Sequence, residues 1–135
     1  MDLKIYTDTL IGRPWSADGM HCWELVRTVR RDLFGDELPP VAAGFANGGA
    51  GVIAMAFANN PERANWRPVE KPRHGSIVMM SRKGSAGAEL HAGIYLVPEH
   101  GQPFILHSHE QAGVMPSYPA ELRLQWQRVE YFDRA

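Results

Sequence analysis

Residues 75–108 read GSIVMMSRKGSAGAELHAGIYLVPEHGQPFILHS, and this stretch decides the fold. Three largely apolar runs, 75–81, 89–97 and 103–108, are separated by 82–88, rich in Gly and Ser, and by 98–102, which holds Pro98 and Gly101. Short runs rich in Ile, Val and aromatic residues and bounded by turn formers are strands, and Gly-containing links of this length join them as hairpins. The stretch therefore predicts an antiparallel meander. Side chains alternate along a strand, so Met79 and Met80 are expected on opposite faces.

Downstream, 112–115 adds a short strand, 119–126 one or two helical turns, and 127–133 a last strand with period-2 alternation. Upstream, Trp66, Pro68, Pro72 and Gly75 mark an extended lead-in. Before it lies a stretch of small residues whose middle, 50–59, is a candidate helix. Its Gly48-Gly49-Ala50-Gly51 lacks the Lys-Ser/Thr ending and the preceding strand that a phosphate loop needs. From Cys22 to Phe34 the residues Cys22, Leu25, Val26, Val29 and Leu33 recur at helical spacing. Arg27, Arg30, Arg31 and Asp32 are expected on the solvated side. Gly35 is the expected C-cap, and Pro39-Pro40 prevents continuation. A helix followed by an antiparallel meander is an α+β arrangement, and 135 residues fit a single domain over 1–135.

Composition narrows the function. The net charge is −1 with no strongly basic face, so nucleic acid is not an expected partner. An apolar content of 44% with four Trp suffices for a core without disulfides or a structural metal. The first residues carry Asp2 and Asp8 and lack the apolar run of a signal peptide. The longest nearly apolar run, 50–58, is about half of a bilayer span, so no membrane span is expected and the chain reads as cytoplasmic when synthesised.

One cysteine excludes an internal disulfide and a multi-Cys zinc site. Three readings of Cys22 remain: a small buried hydrophobe, an idle thiol, or a nucleophile. A helix N-terminus carries partial positive charge, which favours thiolate. His91 is either a core histidine satisfied by a backbone group or a base. Adjacent antiparallel strands put His91 and His107 side by side, where His107 can orient the His91 ring and hold its tautomer. His74 and His100 are expected at the surface. His107 and His109, in His-Ser-His-Glu, have the spacing of metal ligands, but a zinc reading leaves the Cys22 segment unexplained.

The segment IGRPWSADGMHCWELVRTVRRDLFGDELP (11–39) resembles the nucleophile region of NlpC-type papain-like cysteine peptidases, in the branch found in phage tail-tip assembly proteins and prophages. WRPVEKPRHGSIVMMSR (66–82) is similar to that family's lead-in strand. HAGIYL (91–96) and FILHS (104–108) are similar to its two histidine strands. The resemblance implies a minimal papain-like fold, with Cys22 as nucleophile on an N-terminal helix packed on the sheet, His91 as base and acid, and His107 as third member. Trp15 stands near the family's site-lining aromatic, and His21, where the family has Asp, flanks the nucleophile as a substrate-binding or oxyanion residue. Glu24 and Ser76 also depart from the pattern, replacing Gly and Asp. The implied reaction is amide hydrolysis in peptidoglycan stem peptides through a thioester, without cofactor or metal. Phage tail-tip proteins are the implied macromolecular partners. The alternative is a structural tail-assembly protein that keeps the fold without activity.

Overall fold

The computed structural model describes residues 2–40, 61–81 and 91–135. The candidate helix over 50–59 lies outside the described residues. Helix α1 (Leu3–Asp8) is followed by α2 (Cys22–Phe34), a short 3-10 turn (Pro61–Asn65), and strands β1 (Trp66–Val69), β2 (Ile77–Ser81), β3 (His91–Leu96), β4 (Phe104–His109) and β5 (Gly113–Ser117). Helix α3 (Pro119–Gln125) and strand β6 (Arg128–Arg134) complete the chain, giving the expected α+β class. The six strands form one antiparallel sheet in the order β1-β6-β2-β3-β4-β5.

Helix α2 has the expected bounds, and its ends show why. Its N-cap is His21, whose Nδ1 accepts the Glu24 amide at 3.1 Å. Gly35 closes it in the left-handed conformation at φ 65°, where a glycine carries no steric penalty. Leu25, Val26 and Val29 are buried against one face of the sheet, with Ile77, Ala92, Ile94 and Leu106. The other face has its own core of Val78, Met80, Ile105 and Leu122, with Trp126 and Tyr131 packed on it. Met80 joins this second core and Met79 packs against the first, so the pair divides between the faces as expected.

Several features were not expected. Helix α1 carried no clear pattern, and β1 is a strand where an extended lead-in was expected. Strand β6 inserts between β1 and β2. Arg30 is not on a solvated face. Its guanidinium donates to the Gly75 carbonyl at 3.1 Å, pairs with Asp36 at 2.8 Å, and stands over the rings of Phe34 and Trp66. It bolts α2 to the start of β2. Arg31, by contrast, is half-exposed.

Candidate active site

The register of β3 and β4 assembles the site. Gly93 pairs with His107. His91 stands two residues before Gly93, on the same side of the strand, so the two imidazoles are diagonal neighbours. Their rings meet at 2.9 Å, His91 Nε2 to His107 Nδ1, edge to face. His107 Nε2 in turn lies 2.9 Å from Ser117 Oγ on β5. All three residues are buried. The Trp126 ring stacks on His91 at 5.5 Å with 12° between planes and closes the outer side.

This pair is neutral at ordinary pH. Burial, then the neighbouring His107 and His109, pushes His91 down to about 3, and burial with His109 pushes His107 down to about 4. Desolvation disfavours the imidazolium, and two cations at hydrogen-bond distance repel. Since His91 Nε2 is engaged with His107, the nitrogen left for a reaction partner is Nδ1.

Cys22 is the first residue of α2 and has no solvent exposure. It packs in the core with Ala92, whose side chain lies on the face of β3 opposite to that of His91. The Ala92 backbone hydrogen-bonds the sulfur, as do those of Trp23 and Cys22 itself, and all three favour thiolate. The β3–β4 register ends at Gly93–His107, and Ser108 Oγ, just past that end, donates to the Met20 carbonyl at 2.6 Å. The turn entering α2 is thus tied to β4 beside the histidine pair. The structure joins His91 to His107 directly. It sets the sulfur at the peptide group that links His91 to Ala92.

The thiol is not acidic here. Burial outweighs the backbone donors and pushes it up to about 11. The sequence expectation of thiolate at a helix tip holds for the donors but not for the net balance, because the same stripe that starts the helix also sinks the sulfur in the core.

The remaining expected residues divide by role. His21 is buried, and its ring caps α2 through Nδ1. Burial lowers its pKa, as does Arg27, while Glu24 opposes them. Glu24 is held by Arg27 at 2.6 Å. Trp15 packs half-buried against the main core, and its Nε1–H is buried with no hydrogen-bond partner among the described residues. An unmade bond of that kind costs about 1–3 kcal/mol, so this N–H is a donor in reserve. An open cavity beside the start of α2 is lined by Arg13, Asp18, Met20, His21 and Glu24. Ser76 is buried and donates to the Asp133 carboxylate while accepting the Arg73 amide at 2.9 Å, which gives it a structural role tying β6 to the start of β2.

His74 and His100 are exposed, as expected. Both ring nitrogens of His107 are engaged, and His109 Nδ1 accepts the Gln111 and Ala112 amides. Among the described residues no three His, Cys, Asp or Glu side chains group as metal ligands, and no helix is long and apolar enough to cross a membrane. Two site residues were missed from sequence. Ser117 stands nine residues beyond the histidine strand's predicted end, and Trp126 at a helix end; only the strand register brings either to the imidazoles. No family model, curated protein or solved structure matches this chain.

Proposed function

We propose that the protein is a cysteine peptidase or amidase that cleaves amide bonds in peptidoglycan stem peptides. The observation that carries this reading is the buried His91–His107 contact of 2.9 Å, set beside a helix whose first residue is the only cysteine. A core gains nothing from two hydrogen-bonded polar rings that an apolar pair would not supply, whereas an imidazole oriented by a second imidazole is a general base held in register. The resemblance of four segments to the NlpC-type family supplies the substrate class and the expected papain-like chain tracing.

In this reading His91 Nδ1 accepts the Cys22 proton as the sulfur attacks the scissile carbonyl. The tetrahedral oxyanion is held by the Cys22 amide, with the Trp15 N–H as a second donor. His91 then protonates the leaving amine, a thioester forms, and water attacks it with His91 again as base. The resting pair is thiol and neutral imidazole, so proton transfer accompanies attack rather than preceding it. Peptidoglycan fragments incubated with the protein test this directly. Wild type is expected to release new amino termini, and Cys22→Ala and His91→Ala to release none while remaining folded. Undiminished turnover by Cys22→Ala overturns the mechanism.

One observation favours a second reading. The sulfur has no solvent exposure and packs within the main core. A structural tail-assembly protein that keeps the fold without activity fits that burial. It predicts a stable complex with a tail-tip protein and no acyl-enzyme on Cys22 by mass spectrometry after incubation with wall fragments.

A further inference from the structure

We infer that Ser117 is a positioning residue, whose hydroxyl accepts the His107 Nε2–H and so holds both imidazoles in the tautomer that leaves His91 Nδ1 bare. The inference rests on the hydrolase reading for its purpose, but the tautomer it assigns is a property of the folded chain.

A neutral imidazole has one N–H and one bare nitrogen, so a line of ring-to-ring bonds must run in one direction. Two directions are self-consistent here. In one, His91 Nε2–H donates to His107 Nδ1, and His107 Nε2–H donates to Ser117 Oγ. His91 Nδ1 is then a lone pair. In the other, Ser117 donates to His107 Nε2, His107 Nδ1–H donates to His91 Nε2, and His91 Nδ1 carries the proton. Only the first leaves a base to receive a thiol proton. Ser117 terminates that line, and both bonds in it measure 2.9 Å.

The fold holds Ser117 in place for this. Met115 pairs with His107 across β4 and β5, and Ser117 stands two residues further on the same face, which makes it the diagonal neighbour of His107. Ser117 is the last residue of β5 and is buried. The next residue, Tyr118, has its amide held by Glu121 at 2.7 Å, which fixes the corner into α3. Removing the hydroxyl strands the His107 N–H in a dry site, so the line loses its reason to run toward β5.

The test is nitrogen-15 NMR of histidine-labelled full-length protein at pH 7, with turnover of peptidoglycan fragments measured in parallel. Wild type is expected to show both His91 and His107 protonated at Nε2. Ser117→Ala is expected to lose that single tautomer at His107. It should also lose roughly 10- to 100-fold in kcat with KM little changed, by analogy with the loss of hydrogen-bond partners that orient metal-ligating histidines. Ser117→Thr, which keeps the hydroxyl, is expected to restore both readouts. A wild-type spectrum with the proton on His107 Nδ1 overturns the inference, as does a Ser117→Ala protein with unaltered tautomers. The wild-type spectrum decides the tautomer even where Ser117→Ala does not fold. Absence of turnover in wild type overturns the hydrolase reading instead, because the ring spectra need no substrate.

Discussion

Gly93 and His107 face each other across β3 and β4 so closely that a Cβ at Gly93 would stand 3.2 Å from the His107 Cβ, 3.0 Å from the Leu106 carbonyl oxygen and 2.9 Å from Ile105 Cγ2. The glycine is there for space, not for backbone freedom. Its bare Cα lets the two strands and the His107 side chain close up until the imidazoles touch. Gly93→Ala must push β4 or the Ile105 side chain away. Overpacking of this kind costs about 1–3 kcal/mol. The expected outcome is a lower urea midpoint together with loss of the His91–His107 hydrogen bond in nitrogen-15 spectra. Unchanged stability and ring shifts would show that the strands have slack here.

The histidine pair also sets an acid limit on stability. His91 and His107 titrate at about 3 and about 4 in the fold, below an unfolded value of 6.5. Between those values the unfolded chain binds protons that the native state refuses, so stability is full above about pH 6.5 and falls as pH drops toward 4. Together the two rings account for a loss on the order of a few kcal/mol by pH 4, at about 1.4 kcal/mol per pKa unit. Urea unfolding at pH 7, 5.5 and 4 is expected to show a midpoint that falls steadily, most of it before the carboxylates begin to protonate. A flat profile down to pH 4.5 would mean that water reaches the rings behind Trp126.

How much of this was legible in the sequence follows from which signals are local. Helix α2 was, because five apolar residues at helical spacing and Gly35 define it without reference to the rest of the chain. The histidine pair was, because two strands joined by a short loop fix their own register. Helix α1 was not: it is six residues long with only Tyr6 and Thr7 buried, too short for a periodic signal. Pro68 disguised β1, which tolerates it as an edge strand of the sheet. The insertion of β6 beside β1 and β2 joins residues about 60 apart and has no local signature. The thiol's balance was hidden for the same reason. The helix N-terminus is visible in sequence, but the burial that outweighs it comes from strands far along the chain.

That balance yields a prediction opposite to the one a helix-tip cysteine suggests. With its thiol pushed up to about 11, Cys22 is thiolate in roughly one molecule in ten thousand at pH 7, against a few per cent for a free thiol. Iodoacetamide is therefore expected to alkylate the native protein at least ~100-fold more slowly than the urea-unfolded chain at pH 7. The native rate should climb with pH and show no plateau near pH 6. A fast plateau at pH 6 would reveal a preformed thiolate–imidazolium pair and a conformation in which the sulfur has left the core.

Asp36 joins the end of α2 to the last strand, and its loss should be felt across the molecule. Its carboxylate receives Arg30 at 2.8 Å and Arg134 on the other oxygen, while Arg134 also reaches Glu62 at 2.9 Å. Both guanidinium groups stand over Trp66, at 5.1 and 4.8 Å from its ring. Burial of Asp36 works against its ionisation, but the bonds from Arg134 and Arg30 outweigh it and hold the carboxyl below its ordinary value. The stability this contributes is present above the unfolded pKa and lost as pH falls through the folded one. Asp36→Asn keeps the shape and removes the charge, leaving two cations against one aromatic ring. Hydrogen bonds to a charged partner are worth about 1.5–3 kcal/mol, and partial exposure places the cost at the low end. The expected result is a loss of about 1–2 kcal/mol in urea unfolding at pH 7 that shrinks below pH 4. Arg134→Lys, which cannot span Asp36 and Glu62 with one planar fork, is expected to lose part of the same energy. If Asp36→Asn matches wild type at pH 7, the cluster is a solvated surface pair and the α2–β6 junction is held by the Trp66 contacts alone.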